Sequence, residues 1–198
     1  MTTWVLASDN AGKLAELRAL LAPLALTVVS QRDYDVPAAV EDGPAFVDNA
    51  LIKARHATAL TGLPAIADDS GLAVDALDGA PGPHSARYAG AHGDDAANNR
   101  KLLDALANVP EPERGAAFHC CIAAVRYAGD PAPIICQGIW RGRILHTPQG
   151  DNGFGYDPLF WVAAEQASAA ELTAERKNRI SHRGLAMAQL QERLRHHG

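Results

Sequence analysis

The first thirty residues constrain the fold most. Trp4-Val5-Leu6-Ala7 is an apolar run of strand length, and Ser8-Asp9-Asn10-Ala11-Gly12-Lys13 follows as a turn. Leu14, Leu17, Leu20, Leu21 and Leu24 then recur at helical spacing, with Pro23 marking the end of the helix. Residues 26–30 form a second short apolar run. A strand, a turn, a helix and a strand make a βαβ opening, which sets the class as α/β.

The rest of the chain extends that pattern. Residues 33–44 read as a loop with two prolines and an acidic Glu41-Asp42, and residues 45–61 as a helix ended by Gly62 and Pro64. Ala65-Ile66-Ala67 is a buried strand, Asp68-Asp69-Ser70-Gly71 a turn at its carboxyl end, and residues 72–77 a second strand. Residues 79–93 form a Gly- and Pro-rich loop. A helix over about 96–109 turns Leu102, Leu103 and Leu106 inward. Two long strand-like runs, 116–127 and 133–145, are joined by the turn signal Ala128-Gly129-Asp130-Pro131. They either extend the sheet or build a second lobe. Residues 150–157 are a Gly-rich loop. Ser168 with Glu171 predicts a capping box opening a short helix, and the last helix starts at Ser181 or His182 and runs to Arg195.

Composition limits the functions available. The 198 residues, 47% hydrophobic, suffice for one domain over 1–198 or two fused lobes. No apolar run approaches the ~20 residues of a membrane helix, and the N-terminus lacks the features of a signal peptide, so the expectation is a cytoplasmic protein. With net charge −5 and basic residues concentrated only from Arg176 to Arg195, no nucleic-acid-binding stripe is visible. A phosphate-bearing ligand must be held by a few placed cations and metal ions, which suits a small nucleotide. Cys120, Cys121 and Cys136 stand in apolar surroundings and read as buried thiols, not as a zinc site.

Four groups of residues carry chemistry. Asp68 and Asp69 repel each other at the end of an apolar strand, and a divalent cation such as Mg²⁺ is the simplest compensation. Alternatively the pair caps backbone amides in a turn. Ser8-x-Asn10-x-x-Lys13 opens a helix, where free N–H groups and a lysine favour an anion; a cap with a solvated lysine is the other reading. Glu41 precedes a helix on which Asn49 and Lys53 share a face that points at phosphates or, equally, at solvent. The last group is Gly153-Phe154-Gly155-Tyr156-Asp157 with Lys177 and Ser181-His182-Arg183. Its glycines allow close backbone approach and its aromatics offer a stacking plane, with His182 and Arg183 pointing donors outward. A Gly-rich turn with core aromatics is the competing reading.

Taken together, Ser8-x-Asn10-x-x-Lys13, Glu41, Asn49-x-x-x-Lys53-Ala54, Asp68-Asp69-Ser70-Gly71, Phe154-Gly155-Tyr156-Asp157-Pro158 and Ser181-His182-Arg183 resemble, in order and spacing, the inosine triphosphate pyrophosphatase family, most closely its bacterial branch. This family acts on noncanonical purine nucleotides. The resemblance covers essentially the whole chain. It implies a long curved mixed β-sheet with helices on both sides, in two lobes around a central cleft. It also implies a homodimer that uses Mg²⁺ to hydrolyse ITP, dITP and XTP to the monophosphate and pyrophosphate. By the same resemblance, Asp69 is general base and metal ligand and Glu41 a second metal-binding carboxylate. Ser8, Asn10, Lys13, Lys53 and Lys177 correspond to triphosphate contacts. Ser70, Phe154, Gly155, Tyr156, Asp157, His182 and Arg183 correspond to the nucleoside side. Two positions depart from the family pattern: Asp9 adds charge beside the phosphate loop, and Val40 replaces a second acid before Glu41. A pyrophosphatase for other modified nucleotides and a non-catalytic nucleotide-binding module are the alternatives.

Overall fold

The computed structural model describes residues 3–8, 10–24 and 26–196; Asp9 lies outside them. The chain forms two compact units. One holds the chain up to Asp69, Cys120–Gly138 and the chain from Arg183; the other holds Ser70–His119 and Ile139–His182.

The strands are β1 (Thr3–Leu6), β2 (Thr27–Ser30), β3 (Ala65–Val74), β4 (Gly115–Val125), β5 (Ile134–Ile144), β6 (Phe160–Val162) and β7 (Ala167–Ser168). They form a seven-stranded sheet in the order β2-β1-β3-β4-β5-β6-β7. β1 runs parallel to β2 and to β3, with Leu6 opposite Ser30 and Ile66. β6 runs antiparallel to β5 and to β7, so the sheet is mixed. The helices are α1 (Ala11–Leu21), α2 (Phe46–Thr61), α3 (Asp95–Ala105), α4 (Ala174–Ile180) and α5 (His182–His196). The predicted βαβ opening is present, with α1 between the parallel β1 and β2. None of these helices is long and apolar enough to cross a membrane.

In the first unit, strand alternation sends successive side chains to opposite faces. Leu6, Ile66, Cys120 and Ile122 pack with Leu14, Leu17 and Leu21 of α1 and with Met187 and Leu190 of α5. Val5, Ala65, Ala67 and Cys121 pack with Ala50, Ala54 and Ala57 of α2. Helices therefore cover both faces, and the adjacent Cys120 and Cys121 lie in different cores. All three cysteines are free and buried, as expected; burial pushes the Cys121 thiol up to about 11. The second unit has an aromatic core: Phe118 and Trp140 lie 4.6 Å and 5.1 Å from the ring of Phe160, among Leu102, Leu106 and Tyr156.

Three local expectations are corrected. Asp68-Asp69-Ser70-Gly71 is not a turn between two strands: β3 runs unbroken through it. The backbone stays extended because cations elsewhere in the fold take up both carboxylates, as described below, leaving them no need to cap local amides. Ser168 opens no helix. Its N–H donates to Glu171 Oε2 at 2.7 Å, but its hydroxyl is committed to the Gln149 carbonyl at 2.7 Å. The helix begins at Ala174 instead, capped by Thr173, whose Oγ1 accepts from the Arg176 N–H at 3.2 Å. Lastly, α1 starts at Ala11, before the first periodic leucine, because the Asn10 side chain caps it by accepting from the Lys13 N–H at 2.9 Å.

Candidate active site

Asp68 and Asp69 are consecutive on an extended strand, so their carboxylates leave opposite faces of the sheet. Each meets its own cations. Asp68 follows Ile66 towards α1 and α5, where Lys13 Nζ lies 3.2 Å and Arg183 Nε 3.4 Å from its Oδ2. Arg183 also donates to Glu16 of α1. Asp68 is 1% exposed. Burial works to raise its pKa, but Lys13, Arg183 and Lys53 overcome it and hold the carboxyl well below the usual range.

Asp69 follows Ala67 towards α2. Lys53 Nζ donates to its Oδ1 at 3.0 Å and Asn49 Nδ2 to its Oδ2 at 3.3 Å. Asn49 and Lys53 are four apart on α2 and address the two oxygens of one carboxylate. Lys53 also donates to Glu41 Oε2 at 2.9 Å. For Asp69 burial is the largest influence, with Glu41 adding to it against Lys53, and its pKa is raised. For Lys53 burial alone would lower the pKa; Asp69, Asp68 and Glu41 more than offset it and the pKa is raised.

One ion shared by the adjacent Asp68 and Asp69 is therefore not what the strand allows; the two carboxylates that come together are the pair the family resemblance implies. Glu41 and Asp69 converge on a single cationic atom, Lys53 Nζ, and Asp68 faces the other way. Mg²⁺ takes one or two carboxylates and completes its shell with water and substrate phosphates, and the Glu41–Asp69 donor set fits that demand. No group of three or more His, Cys, Asp and Glu suited to a metal occurs among the described residues, so the set is not a closed protein cage. The turn from Ser8 to Lys13 is also assembled in this unit: Ser8 Oγ accepts from the Asn10 N–H at 3.3 Å, Asn10 caps α1, and Lys13 stands in its first turn.

The second unit holds the other predicted residues. Lys177 of α4 donates to Asp157 Oδ2 at 2.6 Å and stands 4.9 Å from the centre of the Phe154 ring. Asp157 Oδ2 also accepts from the Phe154 N–H at 2.9 Å. Between them, Gly155 has φ 64, a left-handed conformation that glycine adopts without strain. Its N–H donates to Asp95 at 2.7 Å, and its carbonyl accepts from Asn99 at 2.8 Å. Ser70 is half-buried on β3.

Two expectations change here. Tyr156 is a core residue, 4% exposed, whose hydroxyl donates to the Ser85 carbonyl at 2.9 Å; of the two predicted stacking rings, only the half-buried Phe154 reaches the surface. His182 and Arg183 do not point outward. His182 lies parallel to Phe118 at 4.8 Å between centroids, and Arg183 is turned inward to Asp68 and Glu16. Burying a guanidinium is tolerable when its charge is paired, as that of Arg183 is with Asp68 and Glu16. Sequence reasoning passed over Glu16 and left Asn49 out of the predicted site. Asn49's spacing to Lys53 was a usable signal, whereas Glu16 carried none.

This arrangement defines an α/β protein whose first unit presents a carboxylate pair, two lysines and a capped helix start beyond the carboxyl end of β1, the side of a parallel strand on which ligands of such sheets gather. The chain belongs to the Ham1 family, whose model matches residues 4–193. It is 58% identical over 190 residues to a dITP/XTP pyrophosphatase of Pseudomonas aeruginosa, covering 96% of this chain and 95% of that protein. To one of Vibrio cholerae it is 54% identical over 186 residues, covering 94% and 93%. Among solved structures it resembles a HAM1 protein from Coxiella burnetii, with a TM-score of 0.92 and 50% identity over 99% of this chain and 100% of that one. A nucleoside-triphosphatase/dITP/XTP pyrophosphatase from Mycobacterium abscessus superposes with a TM-score of 0.77 at 46% identity, covering 96% and 97%.

Proposed function

We propose that the chain is a Mg²⁺-dependent pyrophosphatase that hydrolyses ITP, dITP and XTP to the nucleoside monophosphate and pyrophosphate. The observation that carries this reading is the convergence of Glu41 and Asp69 on Lys53, beside a helix start that bears Lys13. Relatives more than 50% identical over nearly the whole chain, named dITP/XTP pyrophosphatases, support it.

Glu41 and Asp69 would hold the Mg²⁺, which when bound neutralises phosphate charge as a Lewis acid. The bond broken is the anhydride between the α- and β-phosphates. Asp69 takes a proton from the attacking water, its carboxylate held in place by Lys53 and Asn49. Lysines 13 and 53 of the first unit would meet the charge on the departing pyrophosphate. Lys13 is already placed by Asp68, and Lys53, which stands between Glu41 and Asp69, would yield that position to the ion. Arg183 donates and cannot accept, so on turning from its inward partners toward the base it would favour the 6-oxo group of hypoxanthine or xanthine over the 6-amino group of adenine. Those partners are Asp68 and Glu16.

The test is a substrate panel. With Mg²⁺, ITP, dITP and XTP should each yield pyrophosphate and monophosphate at rates well above those for ATP and GTP. Equal rates for ATP and ITP would remove the base-selection reading, and orthophosphate as the only product would remove the pyrophosphatase reading.

A further inference from the structure

Asn49 is 1% exposed, and both ends of its amide are engaged. Its Oδ1 accepts from the Gly43 N–H at 2.9 Å, and its Nδ2 donates to Asp69 Oδ2 at 3.3 Å. The first bond ties down the loop two residues beyond Glu41; the second fixes one oxygen of Asp69, whose other oxygen belongs to Lys53. Residue 43 is crowded as well: a Cβ there would stand 2.5 Å from Asp48 Cβ and 2.8 Å from Asn49 Oδ1. Only a glycine lets the loop come this near to the helix.

We infer that Asn49, through Gly43, is a positioning residue that sets the spacing and orientation of the Glu41 and Asp69 carboxylates. An amide is required because one end must accept and the other donate. An aspartate could hold Gly43, but it would bring a carboxylate against Asp69. Alanine holds neither. Partners that orient ligating carboxylates carry roughly 10–100-fold in metal affinity, and Asn49 addresses the loop of one carboxylate and an oxygen of the other. The inference rests on the assignment of Glu41 and Asp69 as the Mg²⁺ pair.

The experiment uses the full chain with Asn49→Ala and, from the other side of the tether, Gly43→Ala. Mn²⁺ alone is titrated and followed by electron paramagnetic resonance, and kcat and KM for ITP are measured at fixed Mg²⁺. The expected result is a Kd for Mn²⁺ raised about tenfold or more in both variants, a fall in kcat larger than the change in KM, and partial recovery of kcat at high Mg²⁺. Mn²⁺ affinity within about twofold of the parent in both, whatever happens to Tm, would reduce Asn49 to a packing residue and overturn the inference. Should Asn49→Ala not fold, Gly43→Ala and Asn49→Ser decide by the same criterion. Failure of the proposed function would be read separately, as loss of pyrophosphate release by the parent protein.

Discussion

Lys53→Met keeps the aliphatic stem and removes the ammonium shared by Glu41 and Asp69. Removing one partner of a buried ion pair costs about 3–5 kcal/mol. Here the two carboxylates contribute unequally. The Glu41 side chain is 31% exposed and regains water, whereas that of Asp69 is 8% exposed and keeps only the 3.3 Å bond from Asn49. The loss therefore falls at the lower end, about 3 kcal/mol, almost all of it from Asp69. At roughly 2–4 °C per kcal/mol for a chain of this size, Tm drops by about 6–12 °C. The pH dependence has a definite sign. Burial already raises the Asp69 pKa above its unfolded value, and loss of Lys53 raises it further. The folded variant thus takes up a proton before the unfolded chain does, so the penalty is present above the raised pKa and disappears as pH falls through it. Mg²⁺ adds a second sign: it can stand in for the missing ammonium, so it should raise the Tm of the variant more than that of the parent. The assay is a set of thermal melts at neutral and acid pH, with and without Mg²⁺. A deficit of less than about 2 °C at neutral pH, or one that grows on acidification, would refute the reasoning.

Two further predictions concern the second unit. Arg114 is 1% exposed and donates to the carbonyls of Leu106, Ile144 and Leu145 at 2.7, 2.8 and 3.1 Å. Arg114→Met takes this donor from the Ile144 and Leu145 carbonyls at about 1–3 kcal/mol each, while Leu106 keeps the Val109 N–H; stability should fall by about 3 kcal/mol in urea unfolding, and Arg114→Lys, with one ammonium, recovers only a part. Tyr156→Phe loses one buried hydrogen bond to Ser85 and should cost about 1 kcal/mol. It should leave the KM for ITP within about twofold, because the hydroxyl is already committed; a large rise in KM would return Tyr156 to the substrate.

What could be read from the sequence follows from how local each feature is. The βαβ opening, the helix closed by Gly62 in the left-handed conformation (φ 68) and the two long strands joined at residues 128–131 depend on neighbours a few positions away, and they stand as expected. Asp68-Asp69-Ser70-Gly71 has the composition of a turn and the conformation of a strand. What keeps it extended comes from far along the chain, Arg183 being 115 positions from Asp68. The same distance hides that the two aspartates face opposite ways: alternation on a strand separates them, but only once the segment is known to be a strand. The inward turn of His182 and Arg183 was illegible for a similar reason, since Phe118 and Glu16 are supplied by β4 and α1. Glu41, Lys53 and Asp69 were each legible as candidates, and the fold adds that they meet at one atom.

The central claim is that Asp69, in the Glu41–Lys53–Asp69 cluster, is the base of a pyrophosphate-releasing hydrolysis. Asp69→Asn keeps the shape and one of the two accepting oxygens, turns the other position into a donor, and removes the proton acceptor. Pyrophosphate release from ITP at saturating Mg²⁺ should fall by roughly 10²–10⁴-fold in this variant, with the melting curve still cooperative. Turnover at the parent rate would contradict the account.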